Sequence, residues 1–152
     1  MTTQISHQVT YLELSYDKEP NFQPCIKVSV FFKKLESVSY ETFFEHWKTV
    51  HADLAIATKA FQGNILRYLQ HHQAPEMKAR AQSLGANVLD YDGCAQHWVR
   101  NRDDWMKFYT SEEYAASLSE DCDRFMKLPM TYMVGYENLV VGDALKDIGG
   151  QR

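Results

Sequence analysis

The chain of 152 residues has little that would mark a nucleic-acid or membrane protein. Sixteen lysines and arginines face twenty acids, for a formal net charge of −4. Without a basic excess, or a Lys/Arg cluster on one periodic face, neither nucleic acid nor an anionic membrane is an expected partner. No uncharged apolar run approaches the roughly 18 residues needed to cross a bilayer. Met1 to Gln8 is polar, with neither the basic segment nor the apolar run of a secretory leader. Cysteine is scarce: Cys25, Cys94 and Cys122 are odd in number, widely spaced and without a CxxC pair. That spacing excludes a disulfide framework and predicts buried or free thiols in a reducing, cytoplasmic setting. Nothing resembles a GxSxG elbow, a phosphate-binding loop or a dinucleotide fingerprint. Metal ligation finds no support either: HExxH and HxH are missing, and the adjacent His71 and His72 point to opposite faces of a strand. No metal and no organic cofactor are expected.

What is present is a well-provided apolar chain, 45% hydrophobic and 13% aromatic, enough for one domain with a real core. Residues 39–61 organise it. Phe43, Phe44, Trp47, Val50, Leu54 and Phe61 recur at steps of three, four and seven, the period of an amphipathic helix. Ser39 is a fitting N-cap, Glu41 sits in the first turn, and Gly63-Asn64 supply a stop. His51 lies on the apolar stripe, where an imidazole needs a partner or a purpose. His46 and Asp53 fall off the stripe and are expected in solvent.

Four strands flank two helical segments. Residues 26–33 alternate, with Ile26, Val28, Val30 and Phe32 on one face and Lys27, Ser29, Phe31 and Lys33 on the other. Residues 64–71 read as a second strand, 93–100 as a third and 130–139 as a fourth after Pro129. Asn101 caps a short helix to Phe108. Thr110 with Glu113 forms a capping box for another, to about Met126, with Tyr114, Leu118 and Phe125 on its apolar side. Between strands two and three, residues 72–92 form a long insertion with a short helix from Glu76 to Leu84, bounded by Pro75 and Gly85. It is either a lid over a pocket or a surface excursion. Residues 1–25 read as an arm or an added edge strand, 26–140 as the domain, and 141–152 as a frayed tail.

The order β-α-β, insertion, β-α-β predicts an α+β fold of the ferredoxin-like, split βαβ kind: a four-stranded antiparallel sheet with helices on one face. The other face carries Phe31 and either register of the strands bearing Tyr68 and Trp98, too apolar to leave in water. Two sheets joined face to face in a homodimer would cover it, so a dimer is expected, with the pocket either between sheet and helices or inside the joined sheets.

The strand Val28-Ser29-Val30-Phe31-Phe32-Lys33-Lys34, the helix with Phe43, Trp47 and His51-Ala52 at F-x-x-x-W-x-x-x-H-A spacing, and Arg67-Tyr68-Leu69-Gln70 resemble the EthD family of dimeric α/β-barrel proteins. Asp121-Cys122-Asp123-Arg124-Phe125 is similar to that family's acidic pair followed by Phe, with Cys122 in place of the second acid. Length and insertion resemble the fungal subgroup acting on polyketides. The resemblance implies cofactor-independent decarboxylation, dehydration or cyclisation of an aromatic polyketide. A cofactor-free monooxygenase of an anthrone-like substrate and a non-catalytic binding module are the alternatives.

His51 is the foremost catalytic candidate, since an imidazole poised near neutrality can donate or accept a proton; the plainer reading is a core histidine bonded to a carbonyl. Tyr68 with His72, or Arg67 with His71, faces the pocket, depending on the register of the second strand. His97 and Trp98 pose the same question on the third. Trp47, Trp98 and Phe31 are either core or ligand platform. Asp121 or Asp123 could orient His51, although an exposed helix-end acid is the commoner outcome. The candidate set is thus His51, Tyr68 and Asp121 for catalysis, and Trp47, Arg67, His72, His97, Trp98 and Phe31 for substrate.

Overall fold

A computed structural model describes residues 4–145. Strand β1 (Ile26–Lys34) leads into α1 (Tyr40–His46), which runs through a π-helical turn (Trp47–His51) into α2 (Ala52–Ile56). After α3 (Lys59–Asn64) come β2 (Arg67–His72), α4 (Pro75–Ser83) and β3 (Gly93–Val99). Helix α5 (Arg102–Tyr109), a second π turn (Tyr114–Ser119), α6 (Glu120–Phe125) and β4 (Met126–Gly135) complete the second half. The sheet order is β2-β3-β1-β4 with every pair antiparallel, the ferredoxin-like arrangement.

Local chemistry accounts for most helix starts. The Ser39 hydroxyl accepts from the Thr42 amide at 3.1 Å, Thr58 from Phe61 at 3.1 Å, and Asn101 from Asp104 at 2.9 Å. The capping box expected at Thr110 does not form. Ser111 caps the helix by accepting from the Tyr114 amide, while the Thr110 hydroxyl donates back to the Met106 carbonyl. Glu113 turns instead to the start of α3, where its carboxylate accepts from the Lys59 and Ala60 amides at 3.0 and 2.9 Å. That choice ties the two helical halves together.

The long helix is not one α-helix to Phe61. It breaks after Ile56, and its buried row is Phe43, Trp47, His51 and Ala55, whereas Val50 is 48% exposed. In an α-helix a step of four overshoots one turn by about 40°. The wider turn at Trp47–His51 absorbs that drift and keeps Trp47, His51 and Ala55 on the sheet. There they meet Val28, Val30 and Phe32 of β1, with Phe61, Phe108, Leu118 and Phe125 closing the core. Gly93 marks the tightest approach: a Cβ there would lie 2.7 Å from Cζ3 of Trp47, so the position admits no side chain.

Strand β4 starts four residues earlier than expected and carries Pro129 within it. Proline is tolerated because β4 is an edge strand, hydrogen-bonded to β1 alone, and its register shifts opposite Phe31 and Lys33. The residues from Val9 to Tyr16 form no strand; a single 3₁₀ turn, Leu12–Leu14, stands exposed among them. Further on, Asn21 and Gln23 exchange backbone bonds with Leu139 and Glu137, extending the edge beyond β4. The expected tail lies mostly outside the described residues. No described helix is long and apolar enough to cross a membrane.

Candidate functional site

Strand alternation decides which candidates share a cavity. In β2 the half-buried residues are Tyr68, Gln70 and His72, facing the helices, while Arg67, Leu69 and His71 face away. Tyr68 pairs with His97 across β3, so His97 faces the helices and Trp98 does not. Arg67, Trp98 and Phe31, three expected substrate contacts, therefore lie on the sheet's other face, the one a homodimer would cover, and not with His51. Phe31 packs against Tyr91 at 5.4 Å; Trp98 is covered by Lys27 and Arg67, at 5.0 and 4.8 Å from its ring, and donates its Nε1 proton to Glu137. The insertion is no lid either: none of residues 73–92 lines the helix-side cavity, and Gln73, Leu89 and Tyr91 border a separate hollow beside Phe31.

The cavity lies between sheet and helices. Trp47, His51, Tyr68, His97, Trp105 and Tyr132 are among its walls, the rest being mostly aliphatic or aromatic. About 50 Å³ is open to the centre of a water-sized sphere, room for a few waters. Tyr114, Cys122, Met130 and Tyr132 also border an outer groove with Tyr109 and Pro129, which makes that side the mouth. A fused-ring ligand enters only if those side chains move. Among the described residues, no lysine, arginine or carboxylate lines the cavity.

One buried carboxylate anchors the polar chemistry. Asp121, in the first turn of α6 and fully buried, receives His51 Nδ1 at 2.8 Å and His46 Nε2 at 2.9 and 3.0 Å. Asp121 thus meets His51, as the first of its two readings has it, and is no exposed helix-end acid; His46, expected in solvent, is bonded to it instead. Asp53 and Asp123 are exposed. The π turn explains the convergence. Residues five apart on an α-helix are separated by about 140°, but i→i+5 closure brings them over one another, so His46 and His51 reach the same carboxylate. Phe125 meets both rings edge-on, at 4.7 and 5.1 Å.

Electrostatics fix the tautomers. Burial pushes the Asp121 carboxyl up, yet the bonds from His51 and His46 outweigh it and hold the group below the usual carboxylate range. An ionised Asp121 only accepts, so the facing nitrogens carry protons. His51 is therefore an Nδ1–H imidazole with Nε2 as its remaining nitrogen. Burial lowers its pKa, partly offset by Asp121, so it rests neutral at pH 7.

His97 sits beside Tyr68, the rings perpendicular with centroids 4.9 Å apart. Burial lowers its pKa to about 4, and its Nδ1 is buried without a hydrogen-bond partner. The Tyr68 hydroxyl accepts from Gln70 Nε2 at 3.2 Å; burial raises its pKa, so it stays a phenol. Gln70 also donates to the Trp47 carbonyl at 2.8 Å, and its Oε1 meets His72 Nε2 at 3.0 Å. His72 stacks on Trp47 and does not line the cavity; it supports the wall from behind. The Cys122 thiol, pushed up to about 12 mainly by burial, is no nucleophile. Sequence reading passed over Gln70, Trp105 and Tyr132. Alternation along β2 and β4 is the signal that would have found two of them.

The EthD domain model matches residues 35–129, which contain α1 through α6, both histidines and Asp121. No curated protein sequence matches the chain. Among solved structures, an EthD family protein of Bacillus halodurans is 15% identical and superposes with a TM-score of 0.52, over 74% of this chain and 98% of its own. A dimeric protein of ferredoxin-like fold from Bacteroides fragilis is 14% identical at 0.51, over 78% and 99%. The hydroxynitrile lyase of Passiflora edulis is 10% identical at 0.52, over 78% and 97%. At these identities the likeness is one of fold. With a family model spanning well over half its length, this chain belongs to the EthD domain family.

Proposed function

We propose that the protein is a cofactor-independent lyase that decarboxylates a small aromatic, polyketide-type acid in the cytoplasm, with His51 carrying the proton. The observation that carries the reading is the Nδ1–H bond from His51 to buried Asp121, on a residue that lines an apolar cavity. Decarboxylation of a β-keto or phenolic acid needs little more. In a β-keto acid the carbon–carboxyl bond breaks with its electron pair passing to the ketone, CO2 leaves and the vacated carbon is protonated; in a phenolic acid that carbon is protonated first, and the bond pair restores the aromatic ring as CO2 leaves. In either order the proton delivered is the substrate's own acidic proton, taken up by His51 Nε2, so atoms and charge balance. Asp121 stabilises the transient imidazolium, as a buried carboxylate does for a general base. A cavity without a fixed cation favours the neutral acid and the neutral product. Tyr68 and His97 supply the polar atoms that orient a phenol or carbonyl oxygen, and Trp47 forms an aromatic wall. The Passiflora edulis neighbour is a lyase on the same fold, which supports the class but not the substrate.

The test uses aromatic β-keto and phenolic acids in D2O under argon. The expected result is CO2 release equal to acid consumed, one deuterium at the vacated carbon, and no dependence on oxygen. Stalling under argon would point to a monooxygenase, loss of water without CO2 to a dehydratase or cyclase. Tight binding without turnover would leave an accessory binding protein.

The same reading includes a homodimer. The sheet face opposite the helices leaves Leu69 41% and Met133 70% exposed, a poor surface for water. Light scattering should return twice the 17.7 kDa chain mass; the mass of one chain would remove the dimer.

A further inference from the structure

His46 has no place in the proton transfer just described, yet it is bonded to the same carboxylate as His51. Its side chain is 24% exposed, that of Asp121 wholly buried and that of His51 10% exposed. The three groups thus run from near the surface, through a buried acid, to the cavity. We propose that His46 is the positioning residue of this site: it occupies the second side of the Asp121 carboxylate and thereby sets both the orientation and the protonation of His51. The inference rests on the general-base reading for its catalytic consequence, but not for its physical content.

The geometry supports it in two ways. His46 Nε2 lies within 3.0 Å of both Asp121 oxygens, so it fixes the carboxylate plane that His51 Nδ1 must meet. A carboxylate bonded on two sides also has less to offer either partner, and a proton on the other His46 nitrogen would oppose one on His51. His46 does lower the His51 pKa through charge, alongside burial. The remaining charged neighbours are few. Arg124 of α6 reaches Asp121 Oδ1 at 3.5 Å, His97 of β3 faces His51 across the cavity, and Glu45 and Lys48 on the same helix pair with each other at 2.9 Å. Removing His46 therefore leaves Asp121 to His51 and the longer Arg124 contact, and favours the His51 imidazolium.

The experiment is a ¹⁵N NMR titration of the His51 ring in the full chain, wild type against His46→Gln and His46→Leu, with thermal unfolding to certify each fold. Glutamine can still donate to Asp121 but cannot titrate; leucine does neither. The expected result is an upward shift of the His51 titration in both, larger in His46→Leu. The Nδ1–H signature should persist in both and move further in His46→Leu, where Asp121 bonds His51 more strongly. With a turned-over acid, the acid limb of kcat/KM should move up by the same amount, while KM stays. Superimposable His51 titrations in the three proteins would overturn the proposal. Should the titration move but the kinetic limb stay, His46 keeps its positioning role and the general-base reading falls. An unfolded His46→Leu leaves His46→Gln to decide.

Discussion

Replacing His51 with glutamine should lower kcat by about 10²–10⁴-fold, the usual worth of a positioned general base, while thermal stability changes little. Among the described residues, the imidazole is the one titratable group that both lines the cavity and has an ionised partner, so no described neighbour can take over. Tyr68 stays a phenol and His97 is too weak a base, its pKa near 4. Asp121→Asn should move kcat in the same direction, because an amide can meet His51 through its NH2 and stabilise the wrong tautomer. Asp121→Ala should also cost stability, on the order of 1–3 kcal/mol, since the buried His51 N–H and the half-buried His46 N–H lose their acceptor. Kinetics on an aromatic acid, paired with chemical unfolding of each variant, separates the effects. The pH profile has a definite sign. Because the working base is neutral His51, its pKa lowered below 6.5 by burial, and the cavity takes the acid in its neutral form, kcat/KM should be bell-shaped, falling on acidification and again on the alkaline side. Wild-type turnover by His51→Gln would leave the cavity as a binding site without proton transfer.

Acidification should also destabilise the protein from about pH 6.5 downward, before most of its carboxylates titrate, and His97 is the main reason. In the unfolded chain its pKa is the ordinary 6.5, while burial holds it at about 4 in the fold. Between those values the unfolded state binds the extra proton, so stability rises with pH across the window and is complete above 6.5. A gap of about 2.5 units corresponds to roughly 3 kcal/mol, at 1.36 kcal/mol per unit. His51 and His72, also lowered by burial, act in the same direction. Urea unfolding at pH 7 and pH 4.5 should show wild type losing much of its stability. His97→Gln, which cannot charge, should lose about 2.5 kcal/mol less over that interval. Parallel behaviour of the two proteins would mean that His97 is protonated in the fold, and so is solvated or paired.

Most of the fold is visible in local chemistry. Ser39 and Asn101 cap their helices as their side chains predict, and Pro75 and Gly85 bound α4 within one residue of expectation. Alternation in β1 puts Val28, Val30 and Phe32 on the core. The failures have local causes too. Thr110 and Ser111 are equivalent caps on paper, and only the docking of α3 drew Glu113 away. Pro129 reads as a helix stop until the sheet order shows β4 at an edge.

The candidate site divides along the same line. By itself the chain determined that His51 would face inward, because apolar residues on either side leave its helix one surface to bury. It could not choose between Tyr68 with His72 and Arg67 with His71, since a strand looks the same from both faces until its partner sets which is covered. Nor could it show that His46 and His51, respectively 75 and 70 residues from Asp121, meet on one carboxylate. That depended on a helix winding one residue wider at Trp47–His51 and on the depth at which α6 docks, both set by packing against the sheet rather than by any neighbour in sequence.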